Sequence, residues 1–359
     1  MEPQEYIGKW LLMQYKTADD QYLRDEMLRL VGVRRTDSFD ESFKWMLVKA
    51  LPHDEYYWVF SQRAGGNPLQ LASVPVLGRQ FTTYYGFDRT NPLHVLELKP
   101  RNDGSYSIVV RDSERLTLST RWNSPAFPWG FKECDDQQKI RLREGGRFAV
   151  PSLVDPEPDL MAEDFKHLRI DAFDKEPIKE TPPRVVGSEL IAFPFVREQE
   201  MTFQDQFSRS PYYLLKRESL WRRTGWWTYE VGQETEREDE IFVGITSTSE
   251  HSVEKTLDVR IGSKAEFSIA GATVGMNMSW RKGGTLKHVE SVNRQVNEKS
   301  RVTVKFKPGD KGATALYNRV NVYSVARTDG TVISQLEYVE RHEYHQRSWP
   351  FEAMATLWV

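Results

Sequence analysis

The chain has 359 residues, with 49 lysines and arginines against 52 aspartates and glutamates, so its formal net charge is −3 at pH 7. This balance gives no electrostatic reason to expect a nucleic-acid partner, and the single cysteine, Cys134, excludes an internal disulfide and a cysteine-based zinc site. Aromatic residues make up 12% of the chain although its mean hydropathy is −0.61, a combination that suits β-sheets, sugar-binding surfaces and membrane interfaces.

The sequence lacks the helical signals of export and of membrane insertion. Its first ten residues have neither a basic region nor an apolar stretch, so we expect production without a signal peptide. No run of 18 apolar residues occurs, and a transmembrane helix is therefore not expected. Short strands of alternating polarity stay open as a route into a membrane.

Residues 1–150 contain many short apolar segments separated by turn sequences, which predicts short β-strands. Three of these segments follow an Asp- or Asn-rich turn, and their corresponding positions, Trp45, Val95 and Ile140, are spaced by roughly 45–50 residues. Because no single lobe could bury its own apolar face, three similar lobes predict a β-trefoil with a shared core. An ordinary antiparallel barrel with chance similarity is the alternative.

Two loops of this region, 81–88 and 122–129, are rich in aromatic residues. Sugar recognition requires a ring for the apolar face of the sugar and nearby polar side chains for its hydroxyls. The alternative is that these rings fill the barrel interior and the domain interface. The candidate carbohydrate-binding residues are Trp122, Asn123, Trp129, Asp135 and Asp136.

The character of the sequence changes at Pro151. Residues 151–187 are dense in proline, aspartate and glutamate, which predicts a linker or an extended crossover. Further on, apolar segments such as 210–223 and 240–271 exceed the usual strand length of about 5–6 residues. We therefore predict an all-β protein with a trefoil domain over 1–150 and an elongated β-sheet domain over 151–359.

Residues 253–280 alternate between apolar and polar, and the phase changes at 270–273, where small residues form the expected tip of a hairpin. A transmembrane β-barrel requires such a hairpin, at about ten residues per crossing. A soluble strand that packs its apolar face on a second sheet gives the same alternation. The predicted membrane-inserting residues are Val259, Ile261, Ala265, Phe267, Ile269, Val274, Met276, Met278 and Trp280.

No motif indicates catalysis. Phosphate-binding and nucleophile motifs are absent, and acidic residues are scattered along the whole chain. In 341–345 two histidines lie three residues apart instead of the four of a zinc-binding helix, and the acidic neighbours of Cys134 disfavour a reactive thiolate. We expect a protein that is not an enzyme and that has no cofactor and no metal site.

The second half of the chain resembles a known family. The segments 186–191, 210–216, 326–331 and 348–351, with 148–153 at the domain junction, resemble in order and spacing the Bin-like pesticidal toxins, the Toxin-10 or Tpp group. The resemblance implies a lectin-like N-terminal β-trefoil, a C-terminal aerolysin-like pore-forming domain, insecticidal action on gut cells, and storage as intracellular crystals. By position, 253–280 would contain the membrane-inserting hairpin of that family.

Two functions follow as hypotheses. The first is an insecticidal β-pore-forming toxin that binds a gut-cell receptor glycan or glycoprotein, forms a homo-oligomer on the target-cell membrane and inserts its hairpin, with a possible second toxin component. The second is a non-lytic carbohydrate-binding lectin whose long domain has a structural or assembly role. A glycoside hydrolase that carries a trefoil module is the least supported. The first domain lacks the cysteine pairs of some family members, and its aromatic loops are its own, so the resemblance carries over no receptor specificity.

Overall fold

A computed structural model of the chain describes residues 6–15, 21–25, 30–34, 39–50, 56–74, 78–83, 87–88, 91–110, 116–119, 127–130, 139–157, 168–198, 200–230, 235–248, 259–261, 267–271, 274–278, 298–306, 311–350 and 356–358. Strands dominate these residues, and one α-helix, α1 (Phe203–Arg209), accompanies them. The predicted all-β class is confirmed.

The chain divides into two compact units. The first unit comprises Met1–Pro151, Ala192–Tyr213 and Ala270–Met276. The second unit comprises Ser152–Ile191, Leu214–Ile269 and Asn277–Val359. The functional division into domains 1–150 and 151–359, with 151–187 as a linker, stays a prediction.

Twelve short strands form the first unit. They are β1 (Lys9–Tyr15), β2 (Gln21–Asp25), β3 (Leu30–Arg34), β4 (Trp45–Lys49), β5 (Tyr56–Ser61), β6 (Leu69–Val74), β7 (Gly78–Thr83), β8 (Leu96–Pro100), β9 (Tyr106–Val110), β10 (Leu116–Ser119), β11 (Phe127–Gly130) and β12 (Lys139–Arg147). Six of them close a ring in which β1 pairs with β4, β4 with β5, β5 with β8, β8 with β9, β9 with β12 and β12 with β1. The others form three hairpins, β2–β3, β6–β7 and β10–β11. Six barrel strands and three hairpins make three lobes of four strands each, which is a β-trefoil. The predicted trefoil is therefore confirmed.

The barrel core follows from alternation along the six ring strands. Successive side chains of a strand point to opposite sides, so every second residue faces the interior. The shared core therefore draws on all three lobes, as the repeat argument requires. The ring-strand residues of this core are Leu11, Met13, Trp45, Leu47, Tyr57, Val59, Leu96, Leu98, Ile108, Ile140 and Leu142.

Two lobes use the same turn before their core strand. The side chain of Asp40 accepts a hydrogen bond (2.8 Å) from the backbone N–H two residues later, and Asn91 does the same (3.0 Å), each at the start of a single 3₁₀ turn. The structure thus equates Asp40 with Asn91, an offset of 51 residues instead of the 50 that separate Trp45 from Val95 in the sequence. The third turn, predicted at 134–138, lies outside the described residues.

Residues 192–213 pack on the trefoil through aromatic rings. The ring of Phe60 in β5 lies 5.0 Å from that of Phe193 and 6.5 Å from that of Phe207 in α1. Helix α1 also approaches the turn after β5 closely, because Gly66 leaves no room for a Cβ atom beside the ring of Phe207. Gly66 has φ +83°, a left-handed conformation that glycine adopts without strain.

Further strands follow along the chain, and most of them lie in the second unit. They are β13 (Arg184–Ala192), β14 (Tyr212–Tyr229), β15 (Thr235–Thr248), β16 (Val259–Ile261), β17 (Phe267–Gly271), β18 (Val274–Met278), β19 (Glu298–Phe306), β20 (Gly312–Ala326), β21 (Val332–Trp349) and β22 (Thr356–Trp358). The main sheet has the order β13-β14-β20-β21-β15-β19-β22, and β16-β17-β18 form a separate sheet. The long segment 210–223 lies within β14 as predicted, whereas 240–271 is divided among β15, β16 and β17, and a turn that contains Asp329 and Gly330 joins β20 to β21.

Strand β20 lies at the centre of the main sheet and is buried from Gly312 to Val325. One of its faces packs in a cluster with Leu220 and Val339. The other face is covered by the strap, residues 168–181, through Leu168 and other apolar side chains. The strap belongs to the segment predicted as a linker, and its burial adds apolar contacts to the sheet.

Hydrogen bonds fix the strap to the sheet. The hydroxyl of Tyr317 donates to the carbonyl of Ile178 (2.8 Å), and the N–H of Thr181 donates to the carbonyl of Trp221 (3.0 Å). Tyr317 is fully buried, so this bond gives its hydroxyl a hydrogen-bond partner where water cannot supply one.

Replacing Gly66 by alanine tests the approach of α1 to the trefoil. The added methyl group collides with Phe207, so we expect the free energy of unfolding to fall by roughly 2–4 kcal/mol. The matched control, Gly104→Ala, also has positive φ but meets open space, and we expect a loss of about 1 kcal/mol. Urea denaturation measures both variants, and equal losses would contradict this packing.

Removing the Tyr317 hydroxyl tests the strap. We expect Tyr317→Phe to lower the free energy of unfolding by about 1 kcal/mol, because the carbonyl of Ile178 loses its donor. The exposed Tyr344 supplies the control, for which Tyr344→Phe is expected to change stability by less than about 0.5 kcal/mol. Indistinguishable urea midpoints for the two variants would show that the strap bond contributes nothing.

Candidate functional site

The predicted hairpin lies between two strands that pair with each other. The chain leaves the main sheet after β15, forms β16, β17 and β18, and returns as β19. Strands β15 and β19 are antiparallel neighbours from Thr235 and Phe306 to Val243 and Glu298. The segment 244–297 therefore starts and finishes at one end of a two-stranded ladder.

The structure describes seven of the nine predicted membrane-inserting residues at the level of the backbone. Val259 and Ile261 lie in β16, opposite Ile269 and Phe267 of β17 respectively. Apolar positions thus pair with apolar positions in this ladder. The adjacent strand β18 contains Val274, Met276 and Met278, whereas Ala265 and Trp280 lie outside the described residues.

The structure describes one of the five predicted sugar-binding residues. Trp129 lies in β11, opposite Thr117 of β10. The remaining four, Trp122, Asn123, Asp135 and Asp136, lie outside the described residues.

One ring of the aromatic loops is in the interior. Phe87, from the loop 81–88, has its ring 5.4 Å from Phe60 and 5.0 Å from Phe203. It also stacks on His94, whose pKa is lowered chiefly by burial. At this position the ring serves packing.

Strand β15 changes partner at a glycine. Its residues up to Val243 pair with β19. From Gly244, which lies opposite Val339, it pairs with β21. Gly244 has φ +85°, the left-handed region in which glycine is favoured, so the strand bends here. This bend ends the β15–β19 ladder and directs the following residues along β21.

The β20–β21 ladder breaks at the same level. Residues 340–343 of β21 lie opposite Arg319 of β20 alone, and pairing resumes at Asn318 and Tyr344. Because Val339 is the last residue before the break, one level of the sheet contains both irregularities. We call this level the junction.

Polar side chains fill the junction. We define the junction cluster as Arg217, Ser219, Arg319, Asn321, Glu340 and Glu343. The amide of Asn321 donates to the carboxyl group of Glu340 (2.8 Å), and its Oδ1 accepts from the hydroxyl of Ser219 (2.6 Å). All three side chains are buried, so these bonds replace contacts with water.

Two arginines belong to the same network. Arg319 donates to the carboxylate of Glu343 (2.8 Å) and to the hydroxyl of Ser219 (3.3 Å). Arg217 donates to Asn321 (3.0 Å), and its guanidinium lies 5.9 Å from the centre of the Tyr323 ring. Glu343 is half exposed, and the cluster therefore runs from solvent into the sheet.

The environment of Glu340 favours its protonated form. Glu340 is 8% exposed, and burial raises the pKa of its carboxyl group to about 7, with a further contribution from the negative charge of Glu343. The positive charges of Arg217 and Arg319 act in the opposite direction without outweighing burial.

The sequence reasoning missed this cluster, although one signal for it was available. Residues 316–325 place Asn318, Arg319 and Asn321 in an otherwise apolar central strand. A buried arginine in such a strand requires a carboxylate and further polar partners. Their identity depends on the break in register, which local sequence does not encode.

In the part of the chain that the structure describes, no helix has the length and the apolar character that crossing a bilayer requires. Within the same ranges, no group of three or more His, Cys, Asp or Glu residues could hold a metal ion.

Comparisons with known proteins bear on the identity of the second unit. Residues 185–343 match the model of the Toxin_10 family, described as "Insecticidal Crystal Toxin, P42". None of the curated proteins matches the sequence.

Solved structures bear on the fold. The crystal structure of Cry35Ab1 is similar, with a TM-score of 0.68 and 15% sequence identity over 96% of this chain and 90% of that one. At this identity the likeness concerns the fold. A designed three-fold symmetric protein, ThreeFoil, aligns with 37% of this chain and 96% of its own at 17% identity and a TM-score of 0.29. Residues 185–343 thus match the Toxin_10 model, and the resemblance of the chain to the Bin-like pesticidal toxins, predicted from its sequence, is confirmed.

Proposed function

We propose that the protein is an insecticidal pore-forming toxin that inserts the segment between β15 and β19 into a membrane as an amphipathic β-hairpin. The family match over residues 185–343 supports the insecticidal role. One topological observation carries the pore-forming role. β15 and β19 already pair, so a hairpin can grow outward from an existing ladder once Gly244–Thr248 leave β21.

The register of this ladder predicts the tip of the extended hairpin. Each step outward from the pair Val243–Glu298 adds one residue to both strands, so the strands meet at Ala270 and Gly271. Small residues suit a tight turn that must cross a bilayer. The same position was expected for the tip from the change of phase in the sequence.

The same register keeps apolar residues together. Phe267 would face Val274, and Ala265 would face Met276, so both arms contribute apolar side chains to one face. A slip of one residue on one arm would set these side chains opposite Thr273, Gly275 or Asn277, so the apolar pairs would be lost. The alternation is therefore consistent with a ribbon that has one lipid-facing side.

The length of the segment is sufficient. Each arm, 244–270 and 271–297, would extend roughly 90 Å at about 3.4 Å per residue. The hydrocarbon core is about 30 Å thick, and a tilted crossing strand needs about 9–11 residues. The outer part of each arm would remain in water and join the hairpin to the sheet.

We infer that several chains assemble, because a single hairpin leaves open strand edges that lipid cannot satisfy. The trefoil would recognise a receptor glycan or glycoprotein on the gut-cell membrane. A second toxin component and storage as an intracellular inclusion belong to the same proposal, and no step in it requires catalysis or a cofactor. The residues proposed for sugar recognition are Trp122, Asn123, Trp129, Asp135 and Asp136.

A charge on the lipid-facing side tests the insertion. We expect Phe267→Lys to reduce dye release from vesicles of target-gut membranes at least tenfold, since lysine on the lipid face of a membrane strand costs roughly 2–4 kcal/mol at the midplane. The neighbouring Ser268→Lys adds the same charge to the opposite face and is expected to retain activity within about threefold. Equal release from the two variants would contradict the assignment of faces, and vesicle binding without leakage by the unmodified protein would favour the non-lytic lectin.

A ring removed from the trefoil loops tests receptor recognition. We expect Trp122→Ala to weaken binding to the same vesicles about tenfold or more, because a sugar loses its stacking partner. Leu93→Ala, which removes an exposed apolar side chain elsewhere in the trefoil, serves as the control. Co-sedimentation measures both, and unchanged binding of Trp122→Ala would exclude this ring from the receptor site.

A further inference from the structure

We infer that the junction cluster is a pH-sensitive latch, which holds Gly244–Thr248 of β15 against β21 in acid and releases this segment as the pH rises to neutrality. The inference rests on the proposed function, because the released segment is the base of the hairpin. The latch itself is a property of the protein in solution.

The bend at Gly244 makes release necessary for extension. The β15–β19 ladder can continue past Val243 only if Gly244 changes from its left-handed conformation to an extended one. That change turns the following residues away from their partners on β21, the first of which is Val339. The pairing with β21 and the extended ribbon therefore compete for the same residues.

Glu340 follows Val339 directly, so its side chain lies next to the first β15–β21 pair that must break. Its carboxyl group accepts a hydrogen bond from Asn321 of β20, which ties β21 to the central strand at this level. The nearest β15 pairs, those of Gly244 and Ile245, bring no charge to this level. Among the described residues, the charged groups that act on Glu340 are Arg217 of β14, Arg319 of β20 and Glu343 of β21, and Glu340 itself acts on Tyr323 of β20.

Deprotonation of Glu340 adds a second carboxylate charge to a buried cluster in which Arg217 already donates to Asn321. Arg319 already donates to Glu343 and to Ser219, so a charged Glu340 competes with Glu343 for the same guanidinium. Movement of Glu340 toward water relieves both the repulsion and the cost of burial. Such movement draws β21 away from β15 at Val339.

The sign of the pH dependence follows from linkage. The pKa of Glu340 is about 7 in the latched form, against 4.5 for an exposed glutamate, so the latched form binds the proton more tightly. The stabilisation is complete below about pH 4.5, declines as the pH rises, and is lost above about pH 7. Burial lowers the pKa of His345, whose protonation therefore weakens the structure in acid and acts with the opposite sign.

Hydrogen exchange of the protein in solution tests the latch. We expect the amides of 244–248 and 336–339 to exchange on the order of 50-fold faster at pH 7.5 than at pH 5, after correction for the chemical exchange rate. Glu340→Gln keeps an acceptor for Asn321 but cannot ionise, and we expect its corrected rates to differ less than threefold between these pH values. The matched control on the same strand, Glu337→Gln, loses its ion pair with Arg222 and is expected to retain the dependence.

Two further variants test the latch if Glu340→Gln folds poorly. Glu343→Gln removes the repelling charge, so the pH midpoint of release should fall below that of the unmodified protein. Gly244→Ala strains the latched conformation and should speed exchange at every pH. An unchanged midpoint in Glu343→Gln, or a full pH dependence in Glu340→Gln, would overturn the latch.

The outcome is independent of the proposed function. Exchange is measured without a membrane, so a working latch in a protein that never releases dye would contradict pore formation alone. Dye release that occurs with equal rate at pH 5 and pH 7.5, together with pH-independent exchange, would contradict the latch alone.

Discussion

The conformation of one glycine separates the soluble arrangement of this protein from the one proposed for the membrane. With Gly244 in the left-handed region, β15 leaves its ladder with β19 and runs along β21. Any other residue would favour the extended conformation, in which the ladder continues into the hairpin segment. The bend is stable only while β21 offers a partner, and this gives the buried carboxyl group beside Val339 its influence.

The two units differ in whether their sheets have unpaired edges. The trefoil removes edges by closing six strands into a ring, so its core is filled by alternate residues of every strand. The long sheet stays open, with β13 and β22 as its outer strands and the buried β20 in its interior. In the proposed pore, closure would come from neighbouring chains, because an open edge is not tolerated in lipid.

The sequence predicted what depends on local pattern. Alternation predicted the core strands of the trefoil, and the long segment 210–223 predicted β14. At the turns, the offset between the first two lobes is one residue longer than the alignment of Trp45 with Val95 implies, because the capping side chain is that of Asn91. Residues 192–213 were assigned to the long domain by continuity, whereas aromatic packing joins them to the first unit.

What the sequence did not predict depends on register between distant strands. The carboxyl group of Glu340 meets Asn321 and Arg319 only because four residues of β21 lie opposite one residue of β20. Such a break has no local signature, and the polar residues of 318–321 indicate only that some partner is required. The function of the hairpin and of the trefoil loops stays a prediction, because it depends on partners outside the chain.

A labelling scan measures hairpin insertion directly, and the single native cysteine, Cys134, makes it practicable once it is replaced by serine. Single cysteines across 259–280, each carrying a polarity-sensitive dye, would be compared in solution and on vesicles of target-gut membranes. The account predicts that emission rises at alternate positions, including 265, 267 and 269 on one arm and 274, 276 and 278 on the other, with the phase changing at the tip. Emission that does not change on the membrane, or that rises without a period of two, would contradict insertion as a β-hairpin.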